Sequence, residues 1–140
     1  MKFSEMTYER PNIGNLKARM ADRVEQMQQV GSYRGAENAL LGMEQLMSAY
    51  ETAYSLVNIL HSLDTTDEFY AEEMAFFDNI GPEIEEYVQQ WKNILKEKIA
   101  KLARKPKLII VQLGDVEASN RYVRNKIKDC KEVGITAHDY

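Results

Sequence analysis

Few residues of this 140-residue chain offer catalytic or metal-binding chemistry. There are two histidines, His61 and His138, and one cysteine, Cys130. His61 precedes Asp64 and Asp67, an imidazole and two carboxylates of the kind a metal ion accepts. No second His or Cys lies near it in sequence, so a histidine at a helix end is the stronger reading. Zinc peptidase chemistry needs H-E-x-x-H on a helix, where two imidazoles hold the metal and Glu activates a water. Neither histidine sits in that pattern. Ser, His and Asp occur, but without the nucleophile elbow G-x-S-x-G. The glycines, at 14, 31, 35, 42, 81, 114 and 134, form no G-x-G-x-x-G. Glu72, Glu73, Glu83, Glu85 and Glu86 read as an acidic surface rather than a ligand set. No metal and no cofactor is expected. Cys130 excludes an intrachain disulfide, and its place on an apolar helix face predicts a small buried thiol.

Charge divides the chain. Residues 1–91 hold 6 Lys and Arg against 16 Asp and Glu, a net of −10; residues 92–140 hold 12 against 6, a net of +6. With 44% hydrophobic and 29% charged residues, the composition is that of a globular protein. Opposite charges on the two parts predict attraction within the chain or between chains. A nucleic-acid or membrane patch in the basic part is the sharper alternative. The lysines over 92–107 spread around a helix and mix with Glu97, which favours the first reading. No run is long and apolar enough to span a bilayer, and the opening residues lack the apolar core of a signal peptide. A cytoplasmic protein is expected.

The elements follow from periodicity. Pro11 and Asn12 open a helix whose stripe is Ile13, Leu16, Met20, Val24, Met27 and Val30, with Gly31 as the stop. Residues 1–10 before it are expected to be extended. Ser32 caps a second helix of about 30 residues. Its stripe is Ala36, Leu40, Met43, Met47, Tyr50, Tyr54, Val57 and His61, widened by Leu46, Ala53 and Leu60. Thr66 or Asp67 caps a third, with Phe69, Met74, Phe76, Phe77 and Ile80 on its apolar face. Gly81-Pro82 predicts a kink or short break. The stripe resumes through Ile84, Val88, Trp91, Leu95, Ile99 and Leu102, and Pro106 ends it. Leu108–Leu113 is a short apolar run, the mark of a strand buried on both faces. Ser119 caps a helix over 120–133 that carries Val123, Ile127 and Cys130, and Gly134 stops it. Residues 135–140 read as a second strand, completing a parallel β-α-β unit of right-handed crossover.

Two family resemblances meet in the third helix. The opening Met1-Lys2-Phe3-Ser4-Glu5-Met6-Thr7-Tyr8-Glu9-Arg10-Pro11-Asn12, the stretch from His61 to Tyr70, and the helix from Glu72 to Gln90 make residues 1 to about 92 resemble the N-terminal helical region of the oligoendopeptidase F family. Lys105 to Asp115, Ala118 to Lys126, Cys130 and Glu132 to Ile135 make residues from about 94 to 140 resemble the N-terminal part of bifunctional methylenetetrahydrofolate dehydrogenase/cyclohydrolase. That second resemblance implies that Tyr122 and Lys126 of Y-V-x-x-K line a folate site, the Lys as catalytic group and the Tyr stacking on substrate. Four residues apart on a helix, both side chains share a face. The residues that complete either family's active site are absent from this sequence.

The resulting expectation is a mainly α chimera. An antiparallel bundle of about three long helices (residues 1–92) runs through a continuous helix into a small parallel β-α-β unit (residues 93–140). The chain is expected to be no enzyme. Tyr122 and Lys126 are then vestigial, and the chain acts as a folding or assembly protein that arose by engineering, design or recombination. Its expected partner is a second copy, through an exposed strand edge or apolar helix faces, and not nucleic acid or membrane. Residual folate binding at Tyr122 and Lys126, or a helical interaction module, are the alternatives.

Overall fold

A computed structural model of the chain describes residues 7–139. The residues Met1 to Met6 quoted for the peptidase resemblance, and Tyr140 at the end of the expected second strand, lie outside them. Four helices and two strands follow in the order α1 Ile13–Gln29, α2 Tyr33–Leu63, α3 Glu68–Ala100, β1 Lys107–Ile110, α4 Glu117–Val133 and β2 Thr136–Asp139. The chain divides into two compact units, Met1–Val88 and Gln89–Tyr140, and the division falls inside α3.

The first unit is helical. Asn12 caps α1 by accepting from the Asn15 amide at 2.9 Å, and Ser32 caps α2 by accepting from the Gly35 amide. The α1 stripe is buried as its spacing predicts, at Leu16, Met20, Val24 and Met27. Its end is Val30 in extended conformation, one residue before the expected Gly31. Gly42 of α2 lies under the Arg23 side chain of α1, where a Cβ would sit 2.7 Å from Nε. Phe77 of α3 meets Tyr50 and Tyr54 of α2, each at 5.5 Å between ring centroids. Tyr54 lies nine residues before the end of α2 and Phe77 nine residues into α3, so these helices run antiparallel.

The buried band on α2 keeps Met43, Leu46 and Val57 of the expected stripe and departs from it elsewhere. Ala39, Met43, Leu46, Leu56 and Val57 are buried, while Leu40 and Tyr54 are exposed. The helix is apolar on more than one side, so packing against both α1 and Phe77 of α3 selects the phase. Of the kink or short break expected at Gly81-Pro82, the break does not occur: α3 runs through Pro82. Proline in a helix costs about 3 kcal/mol. Phe77 and Ile84, 2% and 3% exposed, bury the turns on either side and offset that cost.

In the second unit, β1 and β2 pair in parallel, Lys107 opposite Thr136 and Ile110 opposite Asp139. Helix α4 lies against β2. The Lys92 ammonium donates to Asp129 at 3.0 Å and Glu132 at 2.8 Å, tying α4 to the last turns of α3. Gly134 ends α4 in the left-handed region, φ 84°, where any other residue is strained. Three expectations need correction. Helix α4 begins at Glu117, with Val116 rather than Ser119 at its cap, because the acidic Glu117 already suits the first turn. Leu102 lies beyond the end of α3 and is exposed. Strand β1 stops at Ile110 and is not buried on both faces: Ile109 is exposed and Leu108 and Ile110 are half-buried. With only two strands and one helix against them, one face of the sheet has no cover among the described residues.

Candidate functional site

Tyr122 and Lys126 occupy successive turns of α4, as their spacing requires. The Lys126 ammonium donates to the Tyr122 hydroxyl at 2.6 Å and lies 4.6 Å from the centre of its ring. The tyrosine is 61% exposed. Beside it runs an open groove of 530 Å³, lined by Ile110, Val111, Leu113, Ala118, Tyr122 and Val123 among others. Gln112, Asp115 and Asn120 close the loop at its end. Gln112 donates to the Gly114 carbonyl at 3.1 Å and to Asn120, and the Asn120 amide donates to Asp115 at 2.7 Å. An apolar groove flanked by a phenol and an ammonium suits a flat aromatic ligand with an anionic or carbonyl end.

The His61 group is taken up by the α2–α3 turn. Asp64 accepts from the amide and hydroxyl of Thr66, at 3.0 and 2.6 Å, and these bonds hold its carboxyl below the usual value. Asp67 accepts from the Phe69 amide at 3.0 Å, the capping role expected of it. Among the described residues no three of His, Cys, Asp and Glu gather as a metal site. His138 is exposed on β2, and Cys130 is half-buried rather than buried.

Sequence reasoning missed one polar cluster. Glu73, assigned to an acidic surface, is 2% exposed. It accepts from the Tyr8 hydroxyl and from the Arg10 guanidinium, whose Nε lies 3.0 Å from both carboxylate oxygens. Arg10 in turn stacks 4.5 Å over the Phe76 ring. The Arg10 hydrogen bonds, helped by Tyr8, hold the Glu73 carboxyl below its ordinary value of 4.5 against the opposing effect of burial. Burial and the neighbouring carboxylate push the Tyr8 hydroxyl well above its ordinary value. The cluster straps the segment before α1 onto α3. A hint was available: Glu73, Phe77 and Ile84 step by four and seven along one helix face.

Both parts of the chain have recognisable relatives. The family model described as Peptidase M3 N-terminal domain matches residues 3–105, so the chain belongs to that family. A second model, Tetrahydrofolate dehydrogenase/cyclohydrolase, catalytic domain, matches residues 80–140. The bifunctional protein FolD of Hydrogenobaculum sp. is 44% identical over 46 residues, 33% of this chain and 16% of that protein. That of Ruthia magnifica is 54% identical over 41 residues, 29% of this chain and 15% of that protein. Among solved structures, PZ peptidase A with inhibitor 2 is 35% identical and superposes with a TM-score of 0.65, over 68% of this chain and 17% of that one. An oligoendopeptidase F is also 35% identical, with a TM-score of 0.66 over 69% and 17% of the two chains. The chain thus spans about one sixth of the proteins it matches, and its composition is chimera-like, with two enzyme families meeting in α3.

Proposed function

We propose that the chain is a non-catalytic assembly module that pairs with a second copy of itself through its β-α-β unit. The observation that carries this reading is apolar exposure: Ile109 is 64%, Val111 73%, Val116 58% and Leu113 94% exposed. Such residues, contiguous in one small unit, favour association. Strand β1 pairs with β2 on one edge, and its other edge has no strand beside it among the described residues. An open edge flanked by Ile and Val is a template for another strand. A second copy suits it because antiparallel pairing across a twofold axis sets Lys107 opposite Ile110 and brings no like charges together.

The lack of catalysis rests on the residues present. Neither histidine lies in H-E-x-x-H, and Tyr122 and Lys126 bond to one another on an exposed helix face. Among the described residues no helix is long and apolar enough to cross a membrane. A reducing compartment such as the cytoplasm suits the single thiol, and a fusion made by engineering or recombination suits the two-part composition. Light scattering at rising concentration tests the pairing. The expected mass is about twice 16.2 kDa, and Ile109→Lys with Leu113→Lys returns it to the monomer. A wild-type monomer at every concentration removes the proposal.

The groove beside Tyr122 favours one second reading, residual binding of a folate-like ligand. Titrating a folate analogue against protein fluorescence tests it. Saturable binding that disappears in Lys126→Ala supports this reading, and a linear, unsaturable response excludes it.

A further inference from the structure

Several helical cations of the second unit are paired: Lys92 with Asp129 and Glu132, Arg124 with Glu117, and Lys128 with Glu132. Those that run from the end of α3 to the first residue of β1 are not. Among the described residues, Lys101, Arg104, Lys105 and Lys107 form neither an ion pair nor a side-chain hydrogen bond. Periodicity carried the helix on to Leu102 and placed Lys101 on its turns, but α3 ends at Ala100. The basic residues that follow gather along one short segment instead of spreading around a cylinder. Arg104, Lys105 and Lys107, with Leu102, Ala103 and Pro106, line a groove of 730 Å³ in which no carboxylate lies among the described residues.

We propose that this groove binds a compact polyphosphate anion, such as a free triphosphate or the triphosphate of a nucleotide. Three features select that class. Four positive charges within seven residues repel one another, and a single multivalent anion relieves the repulsion where monovalent ions do so weakly. The wall of Leu102, Ala103 and Pro106 is apolar, and a low-dielectric wall beside like charges strengthens their field. Pro106 fixes its own φ and biases Lys105 toward an extended backbone, so part of the ordering cost of binding is already met. Residues 101–107 include no aromatic side chain, so the contact is to phosphate and not to a base. The volume lies within the range of about 300–1,000 Å³ usual for ligand sites. This site shares Lys107 with the strand proposed for self-association, and its argument does not rest on that pairing.

Calorimetric titration of the full chain with sodium tripolyphosphate, with ATP free of magnesium, and with sulfate at matched ionic strength tests the proposal. Tripolyphosphate should bind saturably, and the double variant Arg104→Ala, Lys105→Ala should weaken it about tenfold or more, as loss of charge-assisted bonds does. Arg124→Ala, whose cation is already paired, should leave affinity unchanged. Binding of both polyphosphates alike assigns the site to the phosphate chain whatever carries it; binding of tripolyphosphate alone assigns it to the free anion. The proposal is overturned if sulfate reproduces the signal, or if the double variant binds as the parent does. Affinity that falls as protein concentration rises also overturns it, because the acidic helices of a second copy then fill the groove. All four cationic side chains are exposed, and circular dichroism of the variants confirms that the fold is retained.

Discussion

The two units of this chain are built from residues of similar kinds, yet they differ in how much apolar surface each covers for itself. The first closes Leu16, Met20, Val24, Met27, Met43, Leu46, Val57, Phe77 and Ile84 between three helices, although Tyr33, Leu40, Leu41, Leu63 and Phe69 stay exposed on it. The second buries Trp91, Val123 and Val133 and leaves Leu102, Ile109, Val111, Leu113 and Val116 in solvent. A helix can hide its one stripe against two neighbours, whereas a two-stranded sheet with one helix has a whole face left over. The comparison locates the larger closed core in the first unit, and the pairing proposed above is argued from the second.

The largest test of that contrast is Phe77→Ala. It removes a ring that touches Tyr50, Tyr54 and Phe76, and should cost about 3–5 kcal/mol by denaturant unfolding. A loss as small as that of Val123→Ala, about 1–2 kcal/mol, would show that the first unit is not the better packed.

Next in size is the Glu73 strap. Glu73→Gln keeps the volume and one acceptor and should cost about 1–2 kcal/mol. Arg10→Met should cost more, because it strands a buried carboxylate. The strap also sets a pH signature. Glu73 has its folded pKa below the ordinary 4.5, so its stabilisation is complete above 4.5 and is lost as pH falls through the lower folded value. Asp64 acts in the same direction. In the second unit the Lys92 pKa is raised, chiefly by Glu132 and then Asp129. Its contribution is present below the ordinary 10.5 and lost as pH rises past the folded value. Acid should therefore loosen the first unit before the second. Trp91 fluorescence follows the second unit and circular dichroism the helices as a whole, so the helical signal should fall in acid before the Trp91 signal does, and Glu73→Gln should flatten the acid limb of the helical signal.

Two glycines give the smallest effects, of opposite sign. Gly134→Ala forces a Cβ into the left-handed region and should cost about 1 kcal/mol. Gly81→Ala adds a Cβ with nothing within 4 Å inside α3 and should gain about 0.5–1 kcal/mol. Thermal melts check both, and that of Gly81→Ala decides whether the Gly81-Pro82 step is held by packing or is a flexible joint that tolerates either residue.

Much of this was legible in the chain. The α1 stripe, the caps at Asn12, Ser32 and Asp67, and the stop at Gly134 rest on interactions within a few residues, which spacing alone reveals. The pairing of Tyr122 with Lys126 is of the same local kind. The phase of α2 was legible only in part, at Met43, Leu46 and Val57, because a helix apolar on several sides takes its orientation from its neighbours. Nor was the solvent exposure of Ile109 and Val111, since an Ile- and Val-rich run looks the same whether or not a second layer covers it. Glu73 was hidden among four other glutamates, and only the arrival of Tyr8 and Arg10 from more than sixty positions away distinguishes it.

By itself the sequence determined the mainly α character, the β-α-β ending, the opposite charges of the two parts and the two families that meet in α3. All of these are properties of local periodicity, composition or matching strings of residues. Only the tertiary structure decided that Glu73 is a buried anchor, that Pro82 sits inside an unbroken helix, and that α3 stops at Ala100 and leaves three unpaired cations lining a groove. Each depends on which side chains come together from distant parts of the chain, and burial and electrostatic strength are properties of that neighbourhood rather than of the residue.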